Sequence, residues 1–174
     1  MEQTEEYLAW REDVVALLPK LGVDTLVELA YYLSFEAKLN DKHIWRAIED
    51  AALTNFHLFD LKKSCQMQWA TTQMRPRHVS TRFSNMLFMQ ALEKVQQGVN
   101  SPEEVHWIMQ GNRNKSSKDL YMKIRQSLID RYEVLFQKPK KDASPEEFKV
   151  WADNMVNTLF SVYSNMPKHF GVYK

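Results

Sequence analysis

The residues whose types could do chemistry are few and stand apart. His43, His57, His78, His106 and His169 form no H-x-x-x-H pair, and none lies at ligand spacing from Cys65, the single cysteine. A zinc or transition-metal site needs several such donors converging from fixed spacings, so neither a metal nor a cofactor is expected. Cys65 stands mid-helix among apolar neighbours and reads as a small core residue rather than a nucleophile. The four glycines are too scattered to cradle a phosphate, and no G-x-S-x-G elbow or kinase signature occurs. Glu49-Asp50 and Glu103-Glu104 are carboxylate pairs, but the first lies on a helix face and the second starts a helix. Both pairs read as solvated surface. No residue is expected to be catalytic, and the chain is not expected to be an enzyme.

Two features point to binding instead. Arg75 and Arg77, with Arg82, surround one inter-helix turn, and Arg113, Lys115 and Lys118 surround another about one repeat later. Equivalent turns in stacked hairpins project from one edge, so the six would form a basic ridge for acidic protein surface, lipid headgroups or RNA phosphates. Simple solubility is the competing reading. The aromatic-bearing tail, residues 166–174, carries Phe170 and Tyr173. Apolar side chains on a terminal segment need a surface to cover, either a partner or the last helix.

These groups can be positioned only by helices. The 174 residues are 44% hydrophobic and 26% charged, enough to bury the core of one domain. Only four Gly and six Pro occur beside 21 aromatic residues (five Trp, seven Tyr, nine Phe), too little turn punctuation for a sheet protein. The net charge of +1 lacks the basic excess of a dedicated nucleic-acid binder. One cysteine rules out an intrachain disulfide. No segment approaches the roughly 20 apolar residues of a membrane span. The acidic start, Met1 to Glu6, is unlike an Arg-rich organellar presequence.

Helix starts recur. Ser101-Pro102-Glu103-Glu104 and Ser144-Pro145-Glu146-Glu147 each place a capping serine, a first-turn proline and two acids, the second at the capping-box position. Thr4, Asp24, Asp41, Ser80 and Ser116 or Ser117 are weaker caps, and Gly22, Gly98 and Gly111 are expected as left-handed stops. Apolar residues at i, i+3, i+4 and i+7, such as Leu26, Leu29, Ala30 and Leu33, complete the signal. Another stripe runs through Val150, Trp151, Met155, Leu159, Val162 and Tyr163. The pattern predicts helices at about 4–21, 25–38, 42–54, 60–74, 80–97, 102–110, 117–136 and 145–164, with Pro19 fraying the first. Trp45, Trp69, Trp107 and Trp151 fall in these stripes and read as core.

The helices also repeat. Asp41, Ile44, Ile48 and Ala52-Leu53 align with Ser80, Phe83, Leu87 and Ala91-Leu92 at an offset of 39, and a third copy starts at Ser117, 37 residues on. Each is preceded by a shorter helix. The expectation is an all-α fold of stacked antiparallel helix hairpins, α-solenoid-like, with about seven to eight helices. Residues 1–165 would form one domain: an N-terminal helix, pairs at about 24–54, 60–97 and 101–136, and a C-terminal helix at 145–164. An unrelated α-bundle is the alternative.

Thr25-Leu26-Val27-Glu28-Leu29-Ala30-Tyr31-Tyr32-Leu33, then Asn40-Asp41-Lys42-His43-Ile44-Trp45, reads as helix, short turn and second helix; Phe59-Asp60-Leu61 and Trp69-Ala70 open the next unit. This resembles the octotricopeptide and FAST-kinase/RAP-associated helical repeats of organellar proteins, over about residues 24–130. The resemblance implies mitochondria or plastids and, usually, RNA. Against RNA stand the near-neutral charge, the small number of units and the lack of an α/β RAP module after them. The expected function is therefore a non-catalytic accessory or architectural subunit of a large mitochondrial complex, of the respiratory chain or ATP synthase. Its partners would be other protein subunits. An organellar RNA-binding or RNA-processing factor, or a mitochondrial ribosomal protein, is the first alternative, and an enzyme with a site assembled from dispersed residues comes third.

Overall fold

The computed structural model describes residues 4–73, 78–98, 101–111, 122–123, 126, 130, 137 and 139–164. Among them are seven α-helices and no strand: α1 (Glu5–Leu17), α2 (Val23–Phe35), α3 (Lys42–Thr54), α4 (Leu61–Thr72), α5 (Thr81–Gln97), α6 (Pro102–Gly111) and α7 (Pro145–Ser164). The fold is all-α. Of the expected helix at 117–136, Met122, Lys123, Gln126 and Asp130 are described, and all four are helical.

Most starts follow from the side chain ahead of the first turn, which accepts a backbone N–H that the helix cannot satisfy. The Thr4 hydroxyl accepts from Tyr7 N–H at 3.2 Å, and Ser80 accepts from Phe83 N–H at 3.1 Å. Asp41 Oδ1 accepts from His43 and Ile44 N–H at 2.7 and 3.1 Å; Asp60 Oδ1 accepts from Lys63 N–H at 2.8 Å. Ser101 accepts from Glu104 N–H. Ser144 and Glu147 close a full capping box, each donating its backbone N–H to the other's side chain at 2.8 and 3.2 Å.

Two starts and stops differ from expectation. Asp24 lies inside the first turn of α2, and Gly22 takes the cap position in extended conformation, so Gly22 is not a left-handed stop. Gly111 is the last residue of α6, and its constraint is packing. A Cβ there would lie 2.7 Å from the Cys65 carbonyl oxygen, closer than atoms can approach, so only glycine lets α6 sit this near α4. Gly98, at φ 96°, does end α5 as expected. The stop after α2 is instead made by Lys38 at φ 48°, with Leu39 N–H donating to Leu33 O at 2.8 Å. Pro19, which has no N–H to donate, ends α1 at Leu17 and leaves a 3-10 turn at Leu18–Lys20.

Every second helix packs on the next, α2 against α4 and α4 against α6, and α6 packs against α7. Behind them α3 packs on α2 and α1, and α5 packs on α4. The main core holds Leu26, Ala30, Leu33, Ile44, Trp45, Ile48, Met67, Phe83 and Leu87, with flanking buried residues. Fully burying one large apolar side chain is worth about 2–3 kcal/mol, so this cluster carries most of the drive to fold. A smaller cluster, Cys65, Ala91, Val95, Val105, Ile108 and Met109, joins α4 and α5 to α6. Of the four tryptophans expected in the core, Trp45 is fully buried, its indole N–H donating to Leu39 O at 2.8 Å. Trp69, Trp107 and Trp151 are half-buried.

Candidate functional site

The nucleophile chemistry of Cys65 is closed off by its surroundings. Its side chain is buried, and burial, with the Asp60 charge adding, pushes its thiol up to about 12. It is protonated at neutral pH and inert. His43 and His57 are exposed, His78 and His106 half-buried, and His169 lies outside the described residues. Among the described residues no three His, Cys, Asp or Glu side chains converge as a metal site would require.

Carboxylates hold the helices to one another. Glu49 is 5% exposed, which corrects its reading as solvated surface; Asp50 beside it is exposed. Glu49 Oε2 accepts from Ser80 N–H at 2.8 Å and pairs with Arg46 at 3.2 Å, and its Oε1 accepts from the Ser80 hydroxyl. A side chain of α3 thus fixes the residue that caps α5. Asp41 does the same for α1: besides capping α3 it accepts from the Tyr7 hydroxyl at 2.9 Å and lies 3.9 Å from the Arg11 guanidinium. Burial alone would raise the Asp41 carboxyl. The Ile44 amide, the Tyr7 hydroxyl, the His43 amide and Arg11 outweigh burial and hold it below the ordinary carboxylate value. Burial, then the Asp41 carboxylate, raises the Tyr7 phenol. Glu103 is exposed, whereas Glu104 is half-buried and pairs with Lys94 at 2.9 Å, tying α6 to α5.

Of the expected basic ridge, Arg82 is exposed in the first turn of α5. Arg75, Arg77, Arg113, Lys115 and Lys118 lie outside the described residues, as do Phe170 and Tyr173 of the tail. No helix among the described residues is long and apolar enough to cross a membrane.

Two surfaces stand out that the sequence reading did not single out. On α7, Phe148, Val150, Val156 and Phe160 are open to solvent, the last two 63% and 68% exposed. Of the expected buried stripe Val150 is exposed, Trp151 and Met155 are half-buried, and the side chain of α7 that is buried among the described ones is Thr158. The second surface lies on α2, where Tyr31 and Phe35 meet Trp69 of α4 with ring centroids 4.6, 4.7 and 5.5 Å apart. Helical spacing could have found it, since Asp24, Glu28, Tyr31 and Phe35 share the face opposite Leu26, Ala30 and Leu33. The geometry defines an all-α protein whose buried carboxylates connect helices and whose surface carries apolar and aromatic side chains on α2 and α7. Comparison with family models, with curated proteins and with solved structures finds no match.

Proposed function

We propose that the chain is a non-catalytic architectural subunit that binds other proteins through the outer surfaces of its helix pairs. The observation that carries this reading is α7. A single exposed apolar residue is ordinary, but four large ones on one helix form surface that partners or further chain must cover. The buried carboxylates support it, since Asp41 and Glu49 are engaged in holding helices rather than poised beside a reacting group. The placement in a mitochondrial assembly, of the respiratory chain or ATP synthase, rests on the resemblance of residues 24–130 to organellar helical repeats. Solenoid-type stacking of the pairs belongs to the same reading, supported by the neighbour-to-neighbour packing of α2, α4, α6 and α7.

Native electrophoresis with mass spectrometry of the band tests the reading. Wild-type chain is expected to migrate with a larger assembly. A Val156→Asp, Phe160→Asp double variant is expected to run free of it, with an unchanged melting temperature. Wild-type chain that runs only by itself would sink the proposal, and salt-sensitive RNA binding in that case would put the RNA-factor reading in its place.

A further inference from the structure

We propose that the outward face of α2, together with Trp69 of α4, is the docking surface for an arginine-bearing helical segment of a partner protein. This rests on the protein-binding reading above and names the chemistry of one partner.

The face is continuous. At 3.6 residues per turn Asp24, Glu28, Tyr31, Tyr32 and Phe35 fall within an arc of about 100°, the side opposite the buried Leu26, Ala30 and Leu33. Tyr31 is 37% exposed and Tyr32 57%. From Val23 to Glu36 the chain holds three acids, Asp24, Glu28 and Glu36, and no lysine, arginine or histidine. Asp24 is occupied by Lys63 at 3.2 Å. The carboxylates of Glu28 and Glu36 are exposed and make no ion pair or hydrogen bond among the described residues. At the N-terminal end of the face a cleft of about 270 Å³ separates α2 from α4, with Asp24, Glu28 and Asp60 facing Lys62 and Lys63. Lys63 bridges Asp24 and Asp60, and Lys62 lies 5.1 Å from the centre of the Trp107 ring. Glu28 is the carboxylate left over there.

Aromatic faces beside unpaired carboxylates are the complement of a guanidinium. It stacks on rings, forks onto a carboxylate and sheds its weakly held water at little cost, which an ammonium does less well. The rings of Tyr31, Phe35 and Trp69 already brace one another, so little side-chain freedom remains to be lost on binding. Tyrosine and tryptophan facing arginine is the pairing that dominates interface energetics. Nucleic acid would find bases to stack here, but its phosphates would meet Glu28 and Glu36. A stripe along a helix, bordered by a groove against α4, suits another helix with arginines four residues apart.

The full chain, isotope-labelled, is titrated with a helical peptide carrying arginines four residues apart, with its lysine analogue and with its glutamine analogue. The expected shifts concentrate on the amides of residues 24–36 and on the Trp69 indole. The arginine peptide binds on the order of tenfold tighter than the glutamine one, with lysine between them. Glu28→Gln with Glu36→Gln lowers that affinity by on the order of tenfold at unchanged melting temperature. Equal affinity for all three peptides, or shifts centred elsewhere, overturns the inference. Concentration-dependent shifts of the same residues without peptide assign the face to a second copy of the chain and overturn it equally. If wild-type chain still migrates with its assembly while the peptide fails, this surface falls and the subunit reading stands. If wild-type chain runs alone, the subunit reading falls and takes this inference with it.

Discussion

Apart from α2, which starts after Gly22, the part of the molecule from α1 to α5 and the part formed by α6 and α7 begin their helices in the same way, with serine, threonine or aspartate ahead of the first turn. They are completed differently. Among the described residues the first part encloses a cluster of sixteen buried apolar side chains, including Trp45 and Phe83, and locks its helices through Asp41 and Glu49. The cluster that joins α6 has six, two of them Cys65 and Ala91. Buried polar atoms without a hydrogen-bond partner among the described residues occur in both parts, at Gln68 Oε1 and Nε2 on α4 and at Gln110 Oε1 and Thr158 Oγ1 on α6 and α7, but among the described helices only α7 leaves four large apolar side chains in water. Each buried unpaired polar group costs about 1–3 kcal/mol. Helix starts are local and can be written into any segment, whereas a core needs surface on both sides. Among the described residues the second part therefore encloses the smaller buried cluster and, on α7, shows the most large apolar side chains exposed on any one helix.

The largest test of that contrast is Trp45→Ala. It empties the centre of the main core and is expected to cost about 4 kcal/mol, lowering the melting temperature by roughly 10 °C. Because α6 is built against α4, and α7 against α6, both should unfold once that core is lost. A variant in which α2 and α3 stayed protected would mean that the core is not where stability resides.

Gly111→Ala acts on the other part. Its new Cβ would force α6 from the Cys65 backbone, at about 2–3 kcal/mol. Hydrogen exchange should speed in α6 and α7 while α2 and α3 keep their protection. Equal loss in α3 would show a single cooperative unit and dissolve the comparison.

Asp41→Ala should cost least, about 1–2 kcal/mol, through the lost cap and the lost Tyr7 bond. Trypsin should then cut more readily at Arg11, because α1 has no fully buried residue to hold it. Acid should erase the difference. The folded carboxyl lies below its unfolded value of about 3.9, so its stabilisation is complete above that pH. It is lost as the pH falls through the lower, folded value. Urea unfolding of both proteins from neutral to strongly acid pH reads this out, and a constant gap across the range would count against it.

How much of this was legible follows from the range of each interaction. Caps at Thr4, Asp41, Ser80, Ser101 and Ser144 act over three residues, and the letters alone place them. Gly22 and Gly111 were misread as stops because a glycine's role depends on its φ and on what lies across from it. Lys38 makes the real stop after α2 without a glycine or asparagine to announce it. Glu49 looked like surface because the Ser80 it serves is 31 residues away in sequence. The α2 face was visible as acids and aromatics in helical register, but its buildup into a site needed Trp69 of α4, which sequence distance hides.

The close approach at Gly111 turns an inert side chain into a clock. Cys65 is the only thiol in the chain, it is buried, and its backbone lies directly beneath α6. No alkylating reagent can reach it until α6 lifts, so with excess reagent the labelling rate counts those excursions. One colourimetric trace, taken with and without a candidate partner, would report whether binding holds α6 down.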